Sequence, residues 1–255
     1  MPHFMSQADR ARALKALHVA NDPLVLYNIW DAGGATVLAK AGAAAIATGS
    51  WSVAAAHDFE DGEAMPFDFA LRIIERIAQS TDLPLTVDFE GGYAEAPEQV
   101  AANTRRVIQT GAVGLNFEDR VVGGEGLHDV AAQAARIAAI RDAAREAGVP
   151  LFINARTDLF LQSEAKEHAG LVDAALARQA AYAEAGADGF FVPGLTDQTL
   201  IRDICARSSR PVNVLMRGGL RAVRDVAGLG VSRISFGPAP YISALEDLTK
   251  RFNAI

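Results

Sequence analysis

The chain has 255 residues, half of them hydrophobic, which suits one large α/β barrel or two modest domains with a substantial core. A formal charge of −7 offers no footprint for a polyanion, so nucleic acid is not an expected partner, although a small anion can still meet local arginines in a cleft. One cysteine cannot form an internal disulfide, the start MPHFMSQADR lacks the basic end and apolar run of a secretory signal, and no apolar stretch is long enough for a bilayer, so a cytoplasmic protein with no membrane partner is expected.

The first expected strand is Pro23–Ile29. A phrase then recurs in which a helical stretch ends at glycine, a short turn follows and a β-branched run begins: AKAGAAAIATGS, IQTGAVGLNFED, REAGVPLFINARTD, AEAGADGFFVPG and AGLGVSRISFGP. Gly42, Gly111, Gly148, Gly186 and Gly230 are natural helix C-caps, because the left-handed conformation costs glycine no Cβ clash. With Leu85–Asp88 and Val212–Leu215 the pattern gives eight strands. Between them lie helical segments such as Phe67–Gln79, Pro97–Gln109, Ala131–Ala147, Leu171–Ala185 and Thr196–Ala206, and a last helix is expected over Ile242–Phe252. Alternation of this length predicts a single (β/α)8-barrel domain, a TIM-type barrel over residues 1–255, with no linker or low-complexity tract to divide it. A doubly wound open sheet is the alternative, since periodicity alone does not close a barrel.

Barrel chemistry gathers where strands end. The expected strands run in turn into Trp30-Asp31, Thr48-Gly49-Ser50-Trp51, Asp88-Phe89-Glu90, Glu118-Asp119-Arg120 and Arg156-Thr157-Asp158. Several acids on one rim repel each other unless a cation compensates. Magnesium, with Mn2+ as the other candidate, takes oxygen ligands and keeps waters, and no His/Cys cluster with zinc spacing competes. Asp88 and Glu90 share a side if the extended backbone persists. Asp119 and Asp158 fit helix caps or loop salt bridges as well as function. Arg156 can grip a carboxylate through its planar fork or brace the acids internally. Gly49 and Ser50 offer backbone N–H groups to a carboxylate, or simply form a tight turn before Trp51.

At these residues the chain resembles the isocitrate lyase/phosphoenolpyruvate mutase superfamily, from about Leu24 to Pro238. The strings that carry the resemblance are YNIWDAGGA, ATGSWSVA, FEDGEAMP, VDFEGGYA, GLNFEDR, INARTD and GADGFFVPG, in that order along expected strands. The resemblance implies an Mg2+-dependent barrel that cleaves a bond beside a carbonyl and leaves a metal-bound pyruvate enolate. It also implies that Asp88 is the direct metal ligand, while Asp61, Glu90 and Glu118 hold metal waters. Glu90 stands where an aspartate is usual, so its direct or water-mediated role is open. Thr48, Gly49 and Ser50 resemble the loop that holds the substrate carboxylate and Arg156 its side-chain partner. Trp30 is expected to wall the pocket, Asn213 to make a polar contact, and Asp61, Arg156 and Glu118 to be the catalytic groups.

One departure bears on specificity. The methylisocitrate and isocitrate lyases carry a catalytic cysteine on a mobile loop after strand four, where this chain has DRVVGGEGLHD. The chain is therefore PEP mutase-like and lacks that loop, and Cys205 falls in an expected helix as a buried hydrophobe. Gly-rich Val121–Gly126 suits a lid. His128 can serve as acid/base or be a solvated helix-start residue, and His57 carries the same alternatives. Arg217-Gly218-Gly219 follows strand seven, a common barrel position for anion binding, and with no role implied by the resemblance Arg217 reads first as a loop arginine. The expected activity is cleavage of a C–C or P–C bond in a small 2-hydroxy or 2-keto carboxylate. Oxaloacetate decarboxylation and phosphonopyruvate-type hydrolysis or mutation are alternatives, and a catalytically silent carboxylate-binding barrel is the alternative of another class. A homo-oligomer is expected. A Schiff-base aldolase is disfavoured, because Lys15, Lys40, Lys166 and Lys250 close no apolar strand.

Overall fold

The computed structural model describes residues 5–255, so the N-terminal stretch bearing on a leader lies partly, at residues 1–4, outside the described residues. Eight parallel strands form one sheet: β1 (Leu24–Leu26), β2 (Ile46–Ala47), β3 (Leu85–Asp88), β4 (Gly114–Glu118), β5 (Phe152–Arg156), β6 (Gly189–Phe191), β7 (Val212–Leu215) and β8 (Arg233–Ser235). Neighbours in sequence pair from β2 to β8, β8 pairs with β1, and a bridge between Ile29 and Thr48 joins the two remaining edges. That ring excludes the open doubly wound sheet.

At the seam, Asn28 supplies bonds that the short β1 and β2 do not. Its Nδ2 donates to Thr48 O at 2.8 Å, and its Oδ1 accepts from the Phe236 and Gly237 amides, each at 2.9 Å. One side chain thus ties β1 to both neighbours.

The helices are α1 (Gln7–Ala16), α2 (Ala32–Lys40), α3 (Ser50–Ala55), α4 (Phe67–Ala78), α5 (Pro97–Gln109), α6 (Val130–Glu146), α7 (His168–Glu184), α8 (Gln198–Arg207) and α9 (Ala239–Phe252). Their ends follow local chemistry. Asp31, Asp129 and Asp197 accept N-terminal amides of α2, α6 and α8. The five expected cap glycines all adopt positive φ, from 68° at Gly148 to 111° at Gly186. In α4, Ala70, Ile74 and Ile77 fall on one buried face. After β7, a 3-10 turn at Val223–Val226 replaces the barrel helix, because the segment is short and broken by Gly218, Gly219, Gly228 and Gly230.

The N-terminal end of the barrel is plugged by α1. Gln7 Nε2 donates to Ile108 O and Ala112 O, and His18 stacks on Phe152 with 4.0 Å between centroids. Leu14 is fully buried so close to Gly114 that a Cβ there would lie 2.6 Å from Leu14 Cδ2. At the other end of the chain, α9 leaves Ile242, Leu245, Leu248 and Phe252 exposed, and Val25 on the outer face of β1 and Tyr27 just after it are also uncovered. No helix among the described residues is long and apolar enough to cross a membrane.

Candidate active site

The strand register brings the acids to one mouth. Asp88 pairs with Asn116, and Glu118 pairs with Arg156, so side chains of β3, β4 and β5 rise side by side at their C-terminal ends. A cleft of about 220 Å3 opens there, lined by Ser50, Asp61, Asp88, Asn116, Arg156 and Arg217 among others. That volume is below the roughly 300–1,000 Å3 of drug-sized sites and suits a small acid. A larger groove of about 470 Å3 lies along β1 and α2, away from the acids.

Asp88 is held from one side only. Its Oδ2 accepts from the Ser50 amide at 3.2 Å and Ser50 Oγ at 2.9 Å, and its own amide donates to Thr48 Oγ1 at 3.0 Å. Oδ1 is buried and has no partner among the described residues. The Ser50 amide is therefore spent on Asp88, and the Gly49 amide donates to Ile29 O at 3.3 Å, so neither faces the cleft as a free donor.

Glu90 braces a loop. Its Oε2 accepts from the amides of Gly62 at 3.0 Å and Glu63 at 2.8 Å, which fixes the segment that carries Asp61 over the mouth. Glu63 reciprocates by accepting the Tyr93 amide at 2.7 Å. Glu63, Glu90 and Tyr93 all adopt positive φ between 50° and 61°, a conformation costly for residues with a Cβ and found mostly where function fixes the backbone. Burial, followed by the charges of Asp88 and Asp61, pushes Glu90 up to about 7. Burial and the Asp88 charge also raise Asp61.

Arg156 is the internal brace. Its Nε and Nη2 grip Asp158 at 2.6 and 2.9 Å, and its Nη1 lies 3.0 Å from Glu118 Oε2. Burial raises the Glu118 carboxyl and the guanidinium opposes that. Arg156 itself, despite burial, is held protonated by Glu118 and Asp158. Both alternatives read for Asp158 and Asp119 resolve toward structure. Asp158 pins Arg156, while fully buried Asp119 accepts from Tyr182 Oη, Arg178 and the Asp158 amide.

Other expected residues lie elsewhere. Trp30 packs edge-on to Tyr241 and beside the small cluster of Val53, Ala54, Met65 and Ala70, while Trp51 lines the cleft. Asn213 is 1 % exposed and sits below the floor, where Leu215 takes the wall. His57 bonds Val53 O and packs edge-on to Phe69, and His128 lies just before the Asp129 cap of α6; neither lines the cleft. Cys205 lies in α8, and burial pushes its thiol up to about 12. In the Val121–Gly126 loop, Val122 lies over Gly91, where an added Cβ would come within 2.8 Å.

Asn28, Asn116, Ser235 and Arg217 line the cleft and were not singled out as site residues from the sequence. The alternation of β4, with Asn116 two residues before Glu118, carries the signal for Asn116.

The residues present fit a hard divalent cation. A buried carboxylate oxygen of Asp88, without a partner among the described residues, stands beside the carboxylates of Asp61 and Glu90, whose charges act on one another, and carboxylate oxygen is the ligand type such an ion takes. Among the described residues no three His, Cys, Asp or Glu side chains are gathered closely enough to ligate one ion by themselves, so an ion there would need water or ligand oxygens beside Asp88.

An uncharacterized protein of Mycobacterium tuberculosis (strain ATCC 25618 / H37Rv), Rv1998c, is 33% identical over 229 residues, covering 90% of this chain and 83% of that one. The 2-methylisocitrate lyase of Escherichia coli (strain K12) is 30% identical over 214 residues, covering 82% and 70%. A crystal structure of a "putative phosphonomutase" from Burkholderia cenocepacia J2315 superposes with a TM-score of 0.95 at 48% identity, covering 98% of this chain and 99% of that one. The family model described as phosphoenolpyruvate phosphomutase matches residues 14–255, and the chain belongs to that family, within the PEP mutase/isocitrate lyase superfamily.

Proposed function

We propose that the protein is an Mg2+-dependent lyase that cleaves a C–C bond of a small 2-hydroxy or 2-keto carboxylate and leaves the enolate of a pyruvate-like product. The observation that carries the reading is the buried Asp88 Oδ1, without a partner among the described residues, at a mouth shared with Asp61 and Arg156, the latter paired with Glu118 behind it. Asp88 would hold the ion, with Asp61, Glu90 and Glu118 around its waters; when bound, the ion supplies Lewis-acid stabilisation of charge developing on the substrate carbonyl oxygen. Mn2+ would serve in the same donor set.

The chain's own groups then divide the work. Ser50 orients Asp88, Glu90 keeps the Asp61 loop over the cleft, and Asp158 keeps the Arg156 fork in place. Arg217, on the cleft wall, has no side-chain ion pair within 4.0 Å among the described residues, so it is free to meet a second anionic group on the substrate. Trp51, Leu161 and Phe191 make the apolar part of the wall and limit water.

A second reading is favoured by one absence among the wall residues: none is histidine, cysteine or lysine. Decarboxylation of an oxaloacetate-like acid releases CO2 and demands no base to take a hydroxyl proton, so it suits such a wall. Both readings are tested with Mg2+ or Mn2+ and a panel of 2-hydroxy, 2-keto and phosphonate acids, following products by proton NMR. Ion-dependent pyruvate release stopped by EDTA is the expected result, and whether CO2 or a second organic fragment appears separates the readings. Saturable binding without turnover across the panel would make the protein a silent carboxylate binder.

The chain is also proposed to act as a homo-oligomer. The apolar residues exposed on α9, and the uncovered outer face of β1, would be covered by another copy. Light scattering after size exclusion should give a multiple of 27.0 kDa.

A further inference from the structure

The donors expected to hold a substrate carboxylate are already engaged. The Ser50 amide serves Asp88 and the Gly49 amide serves Ile29 O. The Arg156 fork is closed on Asp158, and its remaining nitrogen lies at Glu118, so its charge is met by two carboxylates before any ligand arrives.

One other cation lines the cleft, and it is unspent. Arg217 is exposed, and among the described residues its guanidinium makes neither a hydrogen bond nor an ion pair. Its backbone, by contrast, is fixed. Met216 before it and Leu220 beyond it are buried, the Leu220 amide donates to Arg217 O at 3.0 Å, and Gly218 closes the turn at φ 58°, a conformation that a Cβ disfavours. The turn holds the root of the side chain while the fork stays open.

An unpaired surface arginine alone says little; its place in the ring says more. β3 and β7 are four strands apart in either direction, so Asp88 and Arg217 stand on opposite sides of the mouth. On the β5–β7 side between them, the wall is Leu161, Phe191, Pro193 and Leu215, whose side chains carry no donor or acceptor. Within about 220 Å3 the cleft therefore has a carboxylate end, an apolar middle and a cationic end. An acid whose 2-oxo or 2-hydroxy carboxylate sits with a divalent ion at Asp88 runs its carbon chain along the apolar middle toward Arg217. A monoanionic acid leaves that arginine unmatched, whereas a second oxyanion farther along the chain meets its planar fork through paired N–H···O bonds.

We propose that Arg217 is the specificity-determining residue of this cleft and selects small dianionic acids, whose second carboxylate or phosphonate it binds, over monoanionic ones. The inference rests on the reading of the cleft as a metal-dependent carboxylate site. It goes beyond that reading by moving charge recognition from Arg156, where the resemblance puts it, to the β7 side of the mouth.

Calorimetric binding in Mg2+ buffer tests it with malate and lactate, which differ by the second carboxylate, and with oxalate, whose two carboxyl groups both belong to the ion-binding end. The wild type should bind malate about ten- to a hundredfold more tightly than lactate, the worth of a charge-assisted pair. Because an exposed cation is screened, that preference should shrink from about 0.05 M to about 0.5 M NaCl. Arg217→Met should abolish the preference by weakening malate, with lactate and oxalate within about threefold and Tm within about 2 °C of the wild type, since the lost side chain had no protein partner. 2-Hydroxy-3-phosphonopropanoate in place of malate distinguishes the two kinds of second group: the tighter names it, and either preference should vanish with the arginine. A preference for malate or the phosphonate that survives Arg217→Met, or a wild type that binds lactate as tightly as both, overturns the proposal and leaves the carboxylate-site reading intact if oxalate binds. Equal weakening of every probe in Arg217→Met also overturns it, because the arginine would then act on the ion-binding end. Failure of the wild type to bind oxalate or any acid of the panel overturns both.

Discussion

The two ends of the barrel solve opposite problems. The N-terminal end is closed by α1, with Leu14 packed against Gly114 and His18 stacked neutral on Phe152. The C-terminal end leaves an open cleft, gathers carboxylates whose charge burial disfavours, and keeps an Asp88 oxygen without a partner. Stability is therefore concentrated at one end and reactivity at the other, and variants at the two ends should separate these properties.

The largest effect is expected at the mouth. Asp88→Asn should reduce kcat/KM for the best acid of the panel about a thousandfold, with Tm within about 2 °C of the wild type, because the retained side-chain oxygen can still accept from Ser50 while the oxygen replaced had no partner among the described residues. A matching fall in Tm would show that Asp88 holds the fold. At the plug, Leu14→Ala should cost about 2–5 kcal/mol in urea unfolding and leave KM unchanged.

A smaller effect sharpens the same contrast through pH. Burial, helped by the Arg233 charge, takes folded His18 down to about 3, whereas the unfolded chain protonates it near 6.5. The unfolded state therefore binds the extra proton between those values. The stability that neutral His18 contributes is complete above pH 6.5 and is lost as pH falls toward 3, about 2 kcal/mol of it by pH 5. His18→Gln should flatten that loss in denaturant titrations at pH 7 and pH 5; an unchanged pH dependence would place its origin elsewhere.

Much of this arrangement is legible in the sequence. Glycine caps and β-branched runs mark the helix-to-strand joints, and in a parallel barrel every strand end faces the same mouth, so the placing of Asp88, Glu118 and Arg156 follows from the strand assignment alone. Their partners do not follow from it. Asp158, two residues after Arg156, occupies the fork that a substrate carboxylate was expected to share, and Ser50 spends its amide on Asp88. Such competition is set by loop geometry, to which local spacing is blind. Arg233 in the barrel interior escapes the sequence for a different reason. The three residues of β8 are too few for alternation to distinguish inside from outside, so Arg233 within VSRISF reads as an ordinary strand position.

The Asn28 latch carries a consequence for how the molecule opens. Six strand junctions from β2 to β8 and the β8–β1 junction carry continuous ladders, but β1 meets β2 through one backbone bridge and one amide side chain. Hydrogen–deuterium exchange should therefore begin along this line, with the Ile29, Gly49, Phe236 and Gly237 amides losing protection well before those of β4 and β5. Asn28→Ala should speed that exchange while the centre of the barrel stays slow, so that the cylinder unzips from a built-in parting.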